Sequence, residues 1–514
     1  VMFNGEIYNY DRFGEFPSDG ACLLEVYKQY GNKFVNHLDG EFAIILVDFT
    51  LRRLVFSTDV FSTKPMWFAF EGREFGIASY EQCLQSLGFQ HPVQVEANST
   101  YEIDLDTIAF RSRTDVYTFD LKQHKTDFDD WNLAFSEAIS KRTQGLRESF
   151  FIGMSSGYDS GAIACELQRQ DVNFQSYAII GSENKETIRS RMKHLGAGSV
   201  LHFPLEAFLE SKKRLEQNAP NYKLGIDNGE SELVKSLNGQ MNQLEIELKA
   251  LDGMPHQYNA TNSAATIQLQ MAKVAEQIEH FTNVIKYRKE VQQLSTDNGA
   301  IGLNYIVEQG VSAGHKVYLS GSGADEIFSD YGFNGVKHYS HSTIGGLFPE
   351  DLESVFPWKN LFDNTQRASL AKEEYVCGSQ GVEGRYPFLD TAVVQEFLWL
   401  SASLKNRHYK SVLRQYLVQH KFPFDENQKL GFNCGYTSNM GSIGPFSEGG
   451  AYEKIEKSMD PRLRPFTSVG VPFDETCIVD SSMWNTHSEK NERTLRVIDL
   501  LLNQKMATNN QLLV

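Results

Sequence analysis

Over roughly the first 120 residues the apolar positions fall in short runs with the alternation expected of strands. Gly40-Glu-Phe-Ala-Ile-Ile-Leu-Val-Asp48 and Arg53-Leu-Val-Phe-Ser57 predict two strands joined by a turn. Lys64-Pro-Met-Trp-Phe-Ala-Phe70 and Glu74-Phe-Gly-Ile-Ala78 continue the pattern, and 101–106 with 107–110 predicts a last hairpin. Only 18–30 has helical spacing, with Leu23, Leu24 and Tyr27 on one face. The pattern is that of a mostly-β α+β unit. From about residue 128 the period lengthens. Residues 131–149 predict a helix, 150–154 a strand, 161–169 a helix and 174–180 a strand, with a further helix running to His194. Lys316-Val-Tyr-Leu-Ser320 is another buried-type strand. Strand alternating with helix predicts a doubly wound parallel sheet.

Between these strands lies a stretch of different character, 229–296. Leu233, Leu237, Met241, Leu244, Leu248 and Leu251 step by three or four, and after Gly-Met-Pro so do Ile267, Met271, Val274, Ile278, Phe281 and Ile285. Both segments predict long amphipathic helices at near-heptad spacing. The arm is either a helical hairpin inserted in a surface loop and packed on its own domain, or a device for oligomerisation.

Charge narrows the function. The chain has 49 Lys+Arg against 66 Asp+Glu, a net charge of -17, and its own field disfavours nucleic acid and anionic membrane as partners. Apolar residues at 41% and charged residues at 22% are ordinary for a globular enzyme and exclude a disordered or membrane-embedded chain. The six cysteines form no C-x-x-C pair and no zinc spacing, which predicts reduced thiols and a cytoplasmic location. The sequence begins at Val1 rather than Met, which predicts a fragment or the loss of upstream residues.

Candidate chemistry sits where predicted strands end. Met154-Ser-Ser-Gly-Tyr-Asp-Ser-Gly161 follows a strand and opens a helix. Small residues let backbone N–H groups approach phosphate oxygens, and the helix N-terminus adds partial positive charge. Asp159 suits a Mg²⁺ bridging phosphates better than a phosphate itself. The loop has no Gly-Lys-[Ser/Thr] and is not a Walker A loop; it matches the S-G-G-x-D-S/T loop of enzymes that cleave ATP to AMP and pyrophosphate. Leu319-Ser-Gly-Ser-Gly-Ala-Asp-Glu326 is a second Gly-rich turn after a strand, with Asp325 as a second candidate Mg²⁺ ligand. Glu383 and Arg385 lie in Gly381-Val-Glu-Gly-Arg-Tyr-Pro-Phe-Leu-Asp390, either a charge pair at a site or a structural ion pair, and Lys429 is a lone cation in a Gly-bearing loop.

In this order, these motifs resemble the glutamine-hydrolysing asparagine synthetase family. Asn4-Gly-Glu-Ile-Tyr-Asn9, Asp19-Gly20, Leu38-Asp-Gly-Glu-Phe-Ala43 and Lys64-Pro65 are similar to its class II glutaminase domain. The resemblance implies an N-terminal nucleophile-type glutaminase domain, a β-sandwich with helices, over 1–122. It implies an α/β synthetase domain over 123–505, interrupted by the 229–296 arm. It further implies that Asn4 and Gly5 form an oxyanion hole and that Glu6 and Asp19 hold the amino group of glutamine. Met154, Ile179, Ser320 and Gly321 would contact ATP; Ser155, Ser156, Gly157, Asp159 and Ser160 would bind its pyrophosphate. Asp159 and Asp325 would share Mg²⁺, and Lys429 would neutralise charge at the reacting phosphorus. The substrates would be small molecules: ATP, aspartate and glutamine or ammonia, with a homodimer as the candidate assembly.

Three departures qualify the resemblance. The glutaminase uses a cysteine at the mature N-terminus, where this sequence has Val1, so the chain as it stands is not expected to hydrolyse glutamine. Ser156 replaces the second glycine of the loop, which strains the backbone only if φ is positive there. Ser322 stands where asparagine synthetases have a glutamate, with Glu383 as the residue to cover the role. Two alternatives to aspartate amidation therefore stay open: ligation of another carboxylate or amine, and an inactive relative serving as a scaffold.

Overall fold

The computed structural model describes residues 1–426 except 72–73, 90–91, 146–148, 181–182, 197, 219–229, 253–263, 273, 276–277, 279–292, 334–335 and 338–341. Lys429, Cys434, Cys477 and much of the 229–296 arm lie outside the described residues. Of the arm, Glu230–Asp252 forms a helix of 23 residues, and Ile246 and Leu269 are exposed.

The N-terminal unit is built from antiparallel strands. β1 (Met2–Ile7), β2 (Gly40–Asp48) and β3 (Arg53–Thr58) join β7 (Ser99–Asp104) and β8 (Ala109–Asp115) in a sheet of order β1-β2-β3-β7-β8. β4 (Trp67–Glu71), β5 (Glu74–Ala78) and β6 (Val93–Gln94) form a smaller sheet of order β5-β4-β6. Alternation decides the layers. Ala43, Phe56, Tyr101 and Ile103 of the large sheet pack with Phe68 and Met66 of the small one. On the opposite face, Phe42, Ile44, Leu46 and Val55 pack with Val26 and Tyr27 of the helix Leu23–Tyr30.

The second unit is a parallel sheet. β9 (Phe150–Gly153), β10 (Gln175–Ile179), β11 (Ser199–Leu201) and β12 (Val317–Leu319) are followed by a two-stranded ribbon of β13 (Gly332–Phe333) and β14 (Val336–Lys337), then β15 (Glu383–Arg385). The parallel order is β11-β10-β9-β12-β15. Both faces are covered, as parallel sheets require. Phe150, Ile152, Val317 and Leu319 face one core with the helix Tyr158–Arg169; Phe151, Tyr177, Ile179 and Tyr318 face another with the helix Asn298–Ser312. Chain order reverses between β9 and β12, so loops leaving their C-terminal ends border a switch-point crevice.

The helix expected at 131–149 is Asp129–Thr143, because the backbone at Gly145 turns to a positive φ of 74°. The helix expected to start at Gly161 starts at Tyr158, three residues earlier. Among the described residues Cys22, Cys83, Cys165 and Cys377 are free thiols.

Charged side chains buried between the two units hold them together. Arg142 donates to Glu41 Oε1 (2.7 Å) and Asp390 Oδ2 (2.9 Å), and its guanidinium lies over the Tyr8 ring at 4.8 Å. Lys64, after β3, donates to Glu374 Oε1 (2.8 Å) and to the carbonyl oxygen of Gly384 (2.6 Å).

Candidate nucleotide and acyl-transfer site at the parallel-sheet edge

β9 runs into Met154-Ser-Ser-Gly157, and Gly157 caps the helix Tyr158–Arg169 with an extended backbone and no side-chain cap. The first-turn N–H groups therefore point into the loop without an internal acceptor from the cap residue. The early helix start puts Asp159 and Ser160 in that first turn. Ser160 Oγ accepts from the Ser155 N–H at 3.1 Å and meets Ser155 Oγ at 2.8 Å, while Ser155 Oγ accepts from the Gly157 N–H at 3.1 Å.

The loop is shaped from beneath by Arg191, which is fully buried. It donates to the carbonyl oxygens of Ser155 (2.5 Å), Gly157 (2.9 Å) and Pro423 (2.8 Å). Burial lowers its pKa to about 10, against the opposing charges of Glu183 and Asp159. Gly161 is required here: a Cβ would stand 2.4 Å from Arg191 Nη2. Gly161→Ala gains about 1 kcal/mol of helix propensity but displaces that guanidinium, so a net loss of about 1–3 kcal/mol is expected. Urea unfolding of the variant checks this; an unchanged midpoint would show that the guanidinium yields freely.

Ser156 has no positive φ, so the serine in place of glycine is unstrained. Its N–H donates to Glu183 Oε2 at 2.6 Å, and its hydroxyl contacts the same oxygen. Met154 and Ile179 are each 2% exposed, at the ends of the adjacent strands β9 and β10. Both belong to the hydrophobic cores, and the Met154 N–H is spent on the Tyr177 carbonyl oxygen (2.8 Å).

β12 delivers the second loop. A Cβ on Gly321 would lie 2.9 Å from Asp159 Cβ, so the two Gly-rich turns touch. Gly323 has φ 95°, and a side chain there would also collide with Leu389 at 2.4 Å. Ser320 Oγ accepts from the Ser322 N–H (3.0 Å), and Ser322 Oγ donates to Glu373 Oε1 (2.8 Å).

Asp159 and Asp325, far apart in sequence, converge on one cation. Lys410 Nζ is 2.5 Å from Asp159 Oδ1 and 3.0 Å from Asp325 Oδ1, and Tyr409 OH donates to Asp325 Oδ1 at 2.6 Å. Lys410 occupies a left-handed turn (φ 45°, ψ 55°) before the helix Ser411–Gln419, with its side chain 1% exposed. The sequence reading did not single it out, since one lysine between a tyrosine and a serine carries no chemical signature. Among the described residues no group of three or more His, Cys, Asp or Glu is arranged as a metal cage. Two converging carboxylates fit a Mg²⁺ that arrives with phosphate oxygens, as Mg²⁺ commonly binds.

Glu383 belongs to another set of contacts. Its Oε1 accepts from Arg385 Nε at 2.8 Å, and Arg385 Nη2 lies 2.8 Å from Glu6 Oε1. Glu383 and Arg385 thus form an ion pair, and Arg385 also reaches Glu6 of β1. Gly5 (φ 126°) passes so close to β2 that a Cβ would stand 1.9 Å from the Glu41 carbonyl oxygen. Asn4 is exposed one residue before it, and Asp19 Oδ2 accepts from the Ile7 N–H at 2.9 Å. Burial raises the Glu6 carboxyl to about 7, with Arg385 opposing and Glu383, Asp19 and Glu41 reinforcing. A carboxyl raised on folding binds more protons in the native than in the unfolded chain, so it lowers stability as pH rises from about 4.5 to about 7. Glu6→Gln is expected to flatten the fall in melting temperature across that window; parallel curves for the two proteins would contradict the shift.

Residues 1–111 match the family of glutamine amidotransferase domains. Along its length the chain is similar to a putative glutamine-hydrolysing asparagine synthetase of Methanocaldococcus jannaschii, with 22% identity over 80% of this chain and 67% of that protein. It is also 22% identical to the glutamine-hydrolysing asparagine synthetase of Gallus gallus, over 82% of this chain and 68% of that one. A shorter similarity, 23% over 32% of this chain and 30% of the other, links it to the amidase chry2 of Gibberella zeae. The chain carries a glutamine amidotransferase domain at its N-terminal side and is, over most of its length, a relative of the glutamine-hydrolysing asparagine synthetases.

Proposed function

We propose that the chain is an ATP-dependent amide-forming ligase that adenylates aspartate and passes the acyl group to ammonia. The observation that carries this reading is the convergence of Asp159, Asp325 and Lys410 between two touching Gly-rich turns at a parallel-sheet edge. Backbone N–H groups in the first turn of the helix Tyr158–Arg169 would receive phosphate oxygens, since those of Ser155, Ser156 and Gly157 are held within the loop. Asp159 and Asp325 would hold Mg²⁺, which would supply charge neutralisation for the pyrophosphate leaving group. Lys410 supplies a fixed positive charge at the same point, where preorganised charge acts most strongly on a developing anion. Ser320 and Gly321 border the nucleotide, and Lys429, outside the described residues, remains a candidate for the same charge at the reacting phosphorus. In the N-terminal unit, a domain of N-terminal nucleophile type, Asn4 and Gly5 are assigned to the oxyanion hole and Glu6 with Asp19 to the amine of glutamine. ATP and Mg²⁺ are the cofactors of this reading, and the protein works in the cytoplasm.

The test is pyrophosphate release from ATP·Mg²⁺ with aspartate, comparing ammonium with glutamine. Aspartate-dependent release is expected with ammonium, falling at least about 100-fold in Asp159→Ala. Release that does not depend on aspartate sinks the choice of acid. A second reading, ligation of another carboxylate or amine, is favoured by Ser322, whose short hydroxyl is bound to Glu373 instead of presenting a carboxylate. Release with another acid but not aspartate is its expected result.

A further inference from the structure

Glu373 lies in the helix Thr365–Gly378, directly behind the second Gly-rich turn. One carboxylate oxygen, Oε1, accepts from Ser322 at 2.8 Å; the other, Oε2, is buried and has no hydrogen-bond partner among the described residues. A buried carboxylate oxygen left unpaired is costly, and a native chain that keeps one there points to a partner that comes and goes. The neighbouring carboxylate shows the contrast. Glu374 is paired with the Lys64 ammonium (2.8 Å) and accepts from Tyr386 OH (2.7 Å). Lys372, the nearest cation on the same helix, has its ammonium 3.5 Å from Asp297. The remaining groups around Glu373 are Tyr318 of β12, Tyr386 beyond β15 and Cys377 of its own helix, none of them cationic. Burial raises the Glu373 carboxyl, with the hydroxyls of Ser320 and Ser322 and the charge of Lys372 opposing and Glu374 reinforcing, so it is poised to take up a proton.

Position adds direction. Lys64 comes from the N-terminal unit, and the turn holding Ser322 touches Asp159 through Gly321. Glu373 therefore bonds the turn beside the nucleotide loops, one residue from the Glu374 that Lys64 of the N-terminal unit reaches. We propose that Glu373 is the base that receives the proton of the nitrogen nucleophile during amide formation, a role that rests on the adenylating reading above. The nitrogen lone pair forms the C–N bond at the acyl carbon. The bond from that carbon to the phosphate oxygen breaks, and AMP leaves with the electron pair. The one proton shed by the nitrogen passes to Glu373 Oε2 and then to solvent.

The experiment uses the 514-residue chain with ATP, Mg²⁺, aspartate and ammonium chloride. Aspartate-dependent ATP–pyrophosphate exchange reads adenylation alone, and asparagine formation reads the full reaction. Glu373→Gln is expected to leave exchange within about threefold of the parent, to lower asparagine formation about 100-fold and to erase the acid limb of its pH profile. Adding Ser322→Glu to that variant, which returns a carboxylate across the 2.8 Å contact, is expected to recover about tenfold. Asparagine formation within threefold of the parent, or equal losses in exchange and amidation, would overturn the role of Glu373 and leave the adenylating reading standing. A parent chain with no aspartate-dependent exchange overturns both.

Discussion

Lys410→Met is expected to lower ATP-dependent pyrophosphate release by about 10²–10³-fold with the protein still folded, the effect of removing one preorganised charge aimed at the developing anion. The ammonium of Lys410 reaches both Asp159 and Asp325, at 2.5 and 3.0 Å. Met keeps the length and the packing of the stem, so the loss falls on the charge. The fold should tolerate it because the two carboxylates are themselves 23% and 18% exposed, and water or a divalent cation can reach them. The loss should lie in turnover, because in this site the charge acts on the leaving pyrophosphate more than on bound ATP. Lys410→Arg is a useful companion: it keeps the charge but not its compact point geometry, and partial activity is expected. The measurement is steady-state pyrophosphate release over a range of ATP concentrations. A variant with unchanged kcat and raised KM would make Lys410 a simple binding residue. Equal activity in both variants and the parent would remove Lys410 from the site.

Arg142→Met is expected to destabilise the chain by about 3–5 kcal/mol, the cost of breaking a buried ion pair from one side. Arg142 is 2% exposed and joins Glu41 of β2 to Asp390 after β15, two carboxylates from opposite ends of the described chain. Glu41 Oε1 also accepts from the Tyr386 N–H at 2.9 Å, so the same acid ties β2 to the segment that follows β15. Removing the arginine leaves Glu41 and Asp390 buried without their shared cation. Asp390 keeps Lys141 at 2.9 Å, while among the described residues Glu41 keeps only a backbone donor, so Glu41 should dominate the penalty. Arg142→Met combined with Glu41→Gln is therefore expected to regain part of the loss, a positive coupling in a double-mutant cycle. Chemical denaturation with probes in each unit reads the result. Additive losses would mean that the two charges act independently.

The sequence by itself determined the alternation of each unit and the loops where chemistry is placed. Period-two runs marked the antiparallel strands at 40–48 and 53–57 to within a residue, because a strand with one face in a core must alternate. The Gly- and Ser-rich turns after β9 and β12 were legible because only small residues allow the backbone approach seen at Gly321 and Gly323. The three-residue strand β15 was not, because Glu383-Gly-Arg385 has no apolar period and owes its place to pairing with β12. Nor did the sequence mark Lys410, Glu373 or Arg191. Each is an ordinary charged residue on or beside a helix, and its meaning comes from contacts made with residues distant in sequence. Ser322 read as a missing carboxylate, and only the packing of Thr365–Gly378 behind its turn brought another carboxylate to it. Local spacing records which face of an element is buried; which charge lies opposite which is settled only when distant elements pack, because desolvation makes an unmatched buried charge costly.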